Sequence, residues 1–534
     1  GDQTGVKVTD DAEVTTPKGF KEGYQQYAEG GWGSLQFEPE YGGQGLPFAL
    51  AIPVQEMWHA ANMAWGLCPL LTQGAIEALE ASASDELKEK FLPNMIAGTW
   101  TGTMNLTESQ SGSDMATLKA KAEREGDHYR IFGQKIYITW GEHDMVENII
   151  HLVLARLPDA PAGVKGISLF LVPKFLVNED GSLGERNDVK VVSTEHKLGV
   201  HASPTCVMSY GDNDGAIGYL VGEEHQGLKC MFKMMNNARL TVGLQGVSIS
   251  ERAYQQARDY ANERVQGVAP GQSDFGPIIH HPDVRRMLMT MRSMTEASRA
   301  LAYVACSSVD FRNKATDDQT RLDHSARSQL LTPIVKGWTT EIAQEITSLG
   351  VQIHGGMGFI EETGAAQHYR DARILPIYEG TNGIQAADLV GRKMQGDGGR
   401  AIDSLIAEIR AVIADANSKT PELTTMSAQL ERSVDALEQA KVMLLAESQK
   451  DENFAGSVSY NLLMLMGYVC GGWQMLIGAV AATAEKESKS HPFYAQKLAT
   501  SQFYMSNVLP RYSSFAEMIQ AGSATTMAMA ADAF

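Results

Sequence analysis

The sequence predicts a multidomain α+β protein in which helical and β-rich regions follow one another along the chain. Three observations support this prediction. The chain has 534 residues, well above the usual size of one domain. Residues 99–220 consist of short β-rich runs, whereas the regions on both sides show helical periodicity. Apolar residues make up 43% and charged residues 20% of the chain, as in an ordinary globular protein.

Changes in the hydrophobic pattern and composition divide the chain into four predicted domains, at residues 1–100, 101–225, 226–395 and 396–534. Residues 1–30 are polar, and we expect a loop there. Helical periodicity then runs from about Pro47 to Gly98 and forms an N-terminal helical domain. The β-rich runs that follow are cut by Gly, Asp and Pro and have no helices between them. This pattern favours a middle domain built as an antiparallel β-barrel or sandwich.

Helical periodicity returns after Gly227 and predicts helices at 228–264, 282–313 and 325–351, which form a C-terminal helical bundle. Residues 263–281 are rich in Gly and Pro and predict a loop. Residues 401–534 predict a further helical extension. Within it, Asn453–Ala484 carries no charged residue and is long enough to span a bilayer. The apolar pattern favours a buried core helix over a helix in contact with a membrane.

Composition argues against several classes of partner. The net charge is −19, which disfavours nucleic acid and anionic membranes. The five cysteines are scattered and form no CxxC pair, so we expect reduced structural cysteines in a cytosolic protein and no metal site. The chain begins Gly-Asp-Gln, without Met or an apolar leader, and we expect it to start within a longer natural chain.

The catalytic motifs HExxH, GxSxG and the P-loop pattern do not occur in the sequence. Three other segments stand out: MNLTESQSGSD at 104–114, GQKIYITWGEHD at 133–144 and DARILPIYEGTNGIQ at 371–385. The last segment holds a lone carboxylate, Glu379, between Tyr378 and a Gly-Thr-Asn-Gly turn. A solvated loop residue would be the ordinary interpretation of such a glutamate in isolation.

Together the three segments resemble motifs of the acyl-CoA dehydrogenase family, over about residues 30–395. The family patterns are Thr-Glu-Pro-x-x-Gly-Ser-Asp, Gly-x-Lys-x-x-Ile-Thr and Tyr-Glu-Gly-Thr. The helical–β–helical order also matches the family. Here Ser109 replaces the family's proline, and Tyr137 replaces its tryptophan. The resemblance implies that FAD binds non-covalently between the β domain and the helices that follow it.

The resemblance also implies roles for individual residues. Leu106 and Thr107 would contact the flavin edge near N5, and Tyr137 would lie against the ring. Arg264 would reach the FAD of a neighbouring subunit, which implies a homodimer or a dimer of dimers. The full cofactor-binding set comprises Leu106, Thr107, Ser113, Tyr137, Ile138, Thr139, Arg264, Gln352, Gly356, Thr381 and Asn382.

The acyl-CoA substrate would contact Ser113, Asn236, Arg239 and Tyr378. Some relatives place the catalytic glutamate on an earlier helix, just before an arginine. In this chain Ala238 precedes Arg239, so the resemblance leaves Glu379 as the base. Asn236 stands where the family often has Asp, so we expect the substrate to be held differently.

The resemblance gives Glu379 the task of removing a proton from the α carbon of an acyl thioester, while a hydride passes from the β carbon to flavin N5. The backbone N–H of Glu379 and an FAD ribityl hydroxyl would bind the thioester oxygen. A glutamate in water has a pKa of about 4.3 and is a weak base. We expect desolvation to raise that pKa, as a general base requires.

The extension, together with WGEHD at 140–144 and MMNNARLTVGLQGVS at 234–248, resembles a large-subunit branch of the family. For the substrate we favour 3-(methylthio)propanoyl-CoA, which would place the protein in DMSP degradation, over short- to long-chain fatty acyl-CoA. We expect an electron-transferring flavoprotein as acceptor and a bacterial cytoplasmic location. One alternative is an acyl-CoA oxidase that uses oxygen. Another is a DNA-binding flavoprotein relative, which the net charge of −19 disfavours.

Overall fold

The computed structural model describes residues 1–486 and 489–534, apart from the side chain of residue 233. The chain forms two compact units, Gly1–Thr241 and Val242–Phe534. The predicted order of a helical region, a β region and a second helical region is confirmed. The domain boundaries given above remain predictions.

The first unit opens with a small hairpin and four helices: β1 Lys7–Val8, β2 Val14–Thr15, α1 Phe20–Glu29, α2 Phe48–Ala61, α3 Met63–Ser82 and α4 Asp85–Ile96. The predicted loop over residues 1–30 is therefore wrong for α1. Phe20, Tyr24 and Tyr27 recur at helical spacing within that polar stretch, and all three are buried. Tyr27 packs edge-on against Trp58 and Trp65, so three aromatic side chains suffice to fix a helix that is otherwise polar.

The β region contains β3 Trp100–Asn105, β4 Lys121–Glu125, β5 His128–Thr139, β6 Asn148–Arg156, β7 Ile167–Pro173, β8 Phe175–Val177, β9 Leu183–Arg186, β10 Val189–Thr194, β11 Thr205–Tyr210 and β12 Ala216–Leu220. The main sheet has the order β10-β11-β5-β12-β7-β6-β3, and β4 pairs with both β5 and β6. These pairings close a barrel-like ring. β3 and β6 pair in parallel, which corrects the all-antiparallel expectation. The chain crosses over through β4 and β5 between them, as a parallel pair requires.

The remaining helices are α5 Gly227–Glu263, α6 Pro282–Lys314, α7 Asp318–His354, α8 Ala365–Ala372, α9 Asn382–Asp388, α10 Arg400–Asn417, α11 Pro421–Glu447, α12 Phe454–Lys486, α13 Pro492–Phe503 and α14 Tyr512–Ala521. α5 begins in the first unit and ends in the second. α7 starts at Asp318, seven residues before the predicted start at residue 325. The Asp317 side chain accepts a hydrogen bond from Thr320 N and caps the helix there.

The apolar segment of the extension forms α12, which has the length and composition of a membrane span. Its most apolar stretch, however, is 83% buried inside the protein. Gly467 lies against Trp338 of α7, where an added Cβ would come within 2.1 Å of the indole Cγ. The helix is therefore apolar because other helices surround it.

Candidate active site

The catalytic turn predicted from the third motif lies between α8 and α9. Glu379 has a φ of 55°, in the left-handed region that L-residues with a side chain rarely adopt. The following Gly380 has a φ of 84°. Such strain persists only where the surrounding structure holds the backbone, and it is concentrated at functional sites.

Hydrogen bonds at both ends hold this turn in place. Asn382 N donates to Pro376 O across 2.9 Å and closes a loop around Glu379. The Thr381 hydroxyl accepts from Ile384 N at 3.2 Å and starts α9. The carboxamide of Asn382 is buried and bonded to α7, which explains how a glycine-rich turn keeps one conformation.

Tyr378 supplies the neighbouring aromatic group. Its hydroxyl donates a hydrogen bond to Gln245 Oε1 on α5. Burial and the nearby charge of Glu379 raise the pKa of the Tyr378 phenol well above its ordinary value. Tyr378 is therefore a neutral donor at physiological pH. Glu379 therefore neighbours an uncharged aromatic side chain, which is the kind of environment in which a carboxylate can act as a base.

In the first unit, the loop after β3 is held by a buried lysine. Lys135 is 0% exposed, and its Nζ donates to Leu106 O at 3.1 Å and to Glu108 Oε1 at 2.8 Å. Ile136 N donates to Thr107 O at 2.9 Å. The backbone carbonyls of Leu106 and Thr107 are thereby fixed against β5, so the first and second motifs form one structure.

The Glu108–Lys135 pair joins the two motifs electrostatically. Glu108 also accepts from Lys119 N at 2.7 Å and from Ala120 N at 3.0 Å. Burial would raise the pKa of Glu108, but the Lys135 charge and these hydrogen bonds together hold it below its ordinary value. Burial lowers the pKa of Lys135 to about 8, against the opposing effect of Glu108. Both groups are charged at neutral pH.

Tyr137 projects from a β-bulge in β5. The register with β11 shifts between Cys206, opposite Ile138, and Met208, opposite Lys135, so two residues of β5 face one residue of β11. Tyr137 at the bulge has a φ of 59° and is 60% exposed. Ile138 is 2% exposed and packs in the core. The bulge therefore turns the aromatic ring outward, a common function of bulges beside active sites.

A chain of buried polar side chains supports the end of β3. Tyr210 OH donates to Asn105 Oδ1 at 2.8 Å, and Asn105 Nδ2 donates to Thr103 Oγ1 at 2.8 Å. Thr103 Oγ1 also lies 2.7 Å from His151 Nδ1. Burial lowers the pKa of His151 to about 3, so its imidazole is neutral. This chain fixes Asn105, the residue that precedes Leu106.

Sequence analysis did not assign functions to Glu108, Lys135, Asn105 or Gln245. The first two are charged residues inside the first and second motifs, which also hold Asp114, Glu142 and Asp144. Their charge alone does not reveal the pairing, because sequence does not show that both side chains are buried. Asn105 and Gln245 gave no comparable signal.

A third group of predicted residues lies on the surface of the second unit. Arg264 N donates to Tyr260 O at 2.8 Å, and the Tyr260 ring stacks on His354 with a centroid distance of 4.4 Å. This contact joins the end of α5 to the end of α7, and Arg264, Gln352 and Gly356 are all exposed. Their predicted contacts with FAD remain predictions.

The other predicted residues have varied environments. Ser113 and Asn236 are exposed, whereas Arg239 is only 5% exposed. Thr139 is half-buried and pairs with Thr205 of β11. The Asn382 side chain is bound to α7 rather than projecting outward. The cofactor and substrate contacts of these residues remain predictions.

Comparison with protein families finds four consecutive matches. The acyl-CoA dehydrogenase N-terminal domain matches residues 6–99, and the middle domain matches residues 103–212. The acyl-CoA dehydrogenase C-terminal domain matches residues 225–394. A domain described as acetyl-CoA dehydrogenase C-terminal like matches residues 405–530.

Individual relatives give the same result. The chain is 48% identical, over 95% of its length and 86% of the relative's, to 3-methylmercaptopropionyl-CoA dehydrogenase of Ruegeria pomeroyi. It is 36% identical, over 98% of its length and 88% of the relative's, to a butyryl-CoA dehydrogenase of Syntrophomonas wolfei. Its fold is that of a Bacillus anthracis acyl-CoA dehydrogenase crystallised with FAD. The two structures have a TM-score of 0.76 and 21% sequence identity, over 94% of this chain and 83% of the other. The chain therefore belongs to the acyl-CoA dehydrogenase family, whose members are oxidoreductases acting on CH–CH groups.

Proposed function

We propose that this protein is an FAD-dependent acyl-CoA dehydrogenase in which Glu379 removes the α proton of an acyl thioester. One observation carries the proposal: a glutamate in a left-handed turn, with a φ of 55°, sits beside a neutral tyrosine and is held there by buried hydrogen bonds. A protein gains no stability from such a conformation, so its presence points to a chemical role for the side chain.

The residues of the first unit fit FAD. Tyr137 offers an exposed aromatic ring, which suits contact with a flat heteroaromatic group. The Lys135 ammonium fixes Leu106 O, which gives the neighbouring backbone a constant position for a ligand edge. When bound, FAD supplies the acceptor for the hydride that leaves the β carbon.

Glu379 has two tasks in this proposal. Its carboxylate accepts the α proton, and its backbone N–H donates to the thioester oxygen as negative charge develops there. Both groups belong to one residue whose backbone is fixed on either side, by Pro376 O and by the start of α9. The backbone N–H and the Cα of the base therefore keep fixed positions, which lowers the reorganisation required during reaction.

We propose 3-(methylthio)propanoyl-CoA as the substrate. The support is the 48% identity to a relative that carries this activity in its name, against 36% to a butyryl-CoA dehydrogenase. A thioether is nearly isosteric with a short alkyl chain, and a hydrophobic pocket separates such groups by only about 1–3 kcal/mol. Butanoyl-CoA is therefore the competing substrate.

A panel of acyl-CoA substrates tests the proposal. The methylthio, butanoyl, octanoyl and palmitoyl thioesters are assayed with an artificial electron acceptor, and kcat/KM is compared. We expect the methylthio compound to give the highest value. A higher value for the butanoyl, octanoyl or palmitoyl thioester would contradict the substrate assignment, and no oxidation of any thioester would contradict the reaction. Measuring peroxide in the same assay separates a dehydrogenase from an oxidase.

The proposal includes a homodimer, or a dimer of dimers, with an electron-transferring flavoprotein as acceptor in a bacterial cytoplasm. Large apolar side chains follow Gly356 in the chain, on the unit that also exposes Arg264: Phe359 is 85% exposed and Met357 is 52% exposed. Exposed apolar groups and an exposed arginine suit contact with a second copy and its cofactor. Light scattering on Phe359→Asp tests this part, with a shift towards monomer as the expected result and an unchanged oligomer as the contrary one.

A further inference from the structure

The buried side chain of Asn382 attaches the catalytic turn to α7. Asn382 is 4% exposed, and its Oδ1 accepts a hydrogen bond from Lys336 Nζ at 2.9 Å. Its Nδ2 has three acceptors on the same helix: Gly337 O at 3.2 Å, Thr340 Oγ1 at 2.9 Å and Glu341 Oε1 at 2.8 Å. The carboxamide oxygen and both of its N–H groups therefore have partners on α7. This side chain, which the family resemblance assigned to FAD, is directed to α7 instead.

The charged groups of α7 fix the orientation of the Asn382 carboxamide. The Lys336 ammonium is 0% exposed and bonds the carboxamide oxygen, whereas the Glu341 carboxylate bonds the carboxamide nitrogen. Rotating the carboxamide by 180° would place its N–H groups beside the ammonium and its oxygen beside the carboxylate. Hydrogen bonds to charged groups are about twice as strong as those between neutral groups. A single orientation of the carboxamide is therefore strongly preferred.

The position of Asn382 determines the backbone that follows Glu379. Asn382 N donates to Pro376 O at 2.9 Å and closes the loop that contains Glu379. Between these two points, Glu379 has a φ of 55° and Gly380 has a φ of 84°, both in the left-handed region. Strained conformations of this kind persist only where the surrounding structure holds them. A displacement of Asn382 would therefore change the position of the Glu379 carboxylate.

A buried lysine is not needed merely to stabilise the helical bundle. Replacing buried charged groups by apolar residues of similar volume is often neutral or even stabilising. What buried ionic groups supply in some proteins is a specific arrangement of the groups around them. Here Lys336 bonds a neutral side chain three residues beyond Glu379, which is where a specific arrangement would matter for a reaction.

We propose that Lys336 and Thr340 are positioning residues for Glu379 and that they act through the side chain of Asn382. The inference rests on the proposed function, because it assumes that Glu379 is the base. Lys336 and Thr340 have no contact with the reacting atoms in this inference. They hold the carboxamide of Asn382, whose backbone N–H closes the loop around Glu379.

Two threonines of α7 provide a matched test. Thr340 and Thr347 are both 0% exposed, and both hydroxyls donate to the carbonyl four residues earlier, at 2.7 Å. Only the Thr340 hydroxyl also bonds Asn382. We expect kcat of Thr340→Val to fall about two- to tenfold, the range for loss of one hydrogen bond, with KM and flavin content unchanged. Thr347→Val should have the kcat of the parent enzyme.

The deuterium isotope effect at the substrate α carbon gives a second measurement on the same pair. Removal of the α proton becomes slower in Thr340→Val if the carboxylate of Glu379 is displaced, so that step limits turnover more strongly. We therefore expect a larger isotope effect in Thr340→Val than in the parent enzyme and in Thr347→Val. A loss of stability alone would not change the isotope effect of the folded enzyme.

The charged groups allow stability and positioning to be separated. Lys336→Met removes the ammonium, and we expect a lower unfolding temperature and a kcat lower by about ten- to a hundredfold, as displacement of a catalytic group by about 1 Å would cause. Lys336→Met/Glu341→Gln removes both charges. The double variant should recover part of the unfolding temperature, because no carboxylate remains without its ammonium, and yet keep the low kcat. A kcat that recovers together with the unfolding temperature would show that Lys336 has a structural role only.

The outcomes distinguish this inference from the proposed function. Full turnover in Glu379→Gln would contradict the assignment of the base itself. If Glu379→Gln is inactive while Thr340→Val and Thr347→Val have the same kcat and isotope effect, the positioning inference alone is overturned. Unfolding temperature and flavin content are measured for every variant, so that only folded enzyme with bound flavin enters the comparison.

Discussion

Two glutamates, one in each compact unit, show how differently one side chain can be used. Glu108 has no positive φ, is 5% exposed, and is bound by an ammonium and two backbone N–H groups. Glu379 is half-buried, stands on a left-handed backbone and neighbours a neutral tyrosine. The first arrangement stabilises the charged carboxylate and therefore makes it a poor base. In the function proposed above, the second arrangement presents a carboxylate on a strained backbone to the substrate.

The largest expected effect separates the two glutamates by activity. Glu379→Gln should retain bound FAD and the parent unfolding temperature, yet lose turnover by about 10³-fold or more, as removal of a general base would. Glu108→Gln should instead lose FAD, whereas those molecules of the variant that retain FAD should have a turnover rate close to that of the parent enzyme. Glu362→Gln, an exposed glutamate close in sequence to Glu379, is the control. If Glu379→Gln and Glu108→Gln lost the same turnover per bound flavin, the proposed difference between a catalytic and a structural glutamate would be contradicted.

The next effect concerns stability. Either Glu108→Gln or Lys135→Met leaves one buried charge without its partner, and we expect each to cost about 3–5 kcal/mol of unfolding free energy. The double variant should cost less than the sum of the two. Urea unfolding measures these values, with Glu125→Gln as the matched control because its pair with Arg130 is exposed and is expected to contribute about 0–1 kcal/mol. Additive losses would show that the pair is not coupled.

A smaller effect appears as a dependence on pH. The pKa of Glu108 is lower in the folded protein than its ordinary value, so the native state favours the charged carboxylate. Its contribution is complete above the ordinary pKa of about 4.3 and is lost as the pH falls through the lowered native pKa. The stability difference between the parent and Glu108→Gln should therefore shrink below about pH 4. Parallel stability curves in acid would contradict the assignment.

The smallest effect tests the strain at Glu379. Glycine adopts positive φ freely, so Glu379→Gly should raise the unfolding free energy by up to about 1 kcal/mol while abolishing turnover. Glu362→Gly, in the 3₁₀ turn Glu361–Thr363, should instead lower it by about 0.5–1 kcal/mol. A loss of stability in Glu379→Gly would mean that side-chain contacts of Glu379 outweigh its backbone strain.

Much of the architecture was predictable because it follows from local pattern. The β-rich runs, the long helices of the second unit and the burial of α12 each follow from periodicity and composition. The helix α1 was missed because only three aromatic residues mark it in a polar stretch. The parallel pairing of β3 with β6 was missed because strand direction depends on a crossover that a strand's own sequence does not record.

Some features of the candidate site were also predictable from sequence and others were not. The three motifs led to Glu379, to the Leu106–Thr107 loop and to Tyr137. They did not reveal that Asn382 faces α7, that Glu108 and Lys135 form a pair, or that a bulge turns Tyr137 outward. Each of these features depends on residues far apart in the chain.

By itself, the sequence determined the order of the domains, the family and the identity of the candidate base, since these depend on residue types and their spacing. Tertiary structure alone decided the left-handed conformation of Glu379, the neutral state of Tyr378 and the bonding of the Asn382 side chain to α7. The physical reason is that backbone strain, burial and charge are set by contacts between distant segments. A stretch of sequence carries the groups that make such contacts, and only the folded chain brings them together.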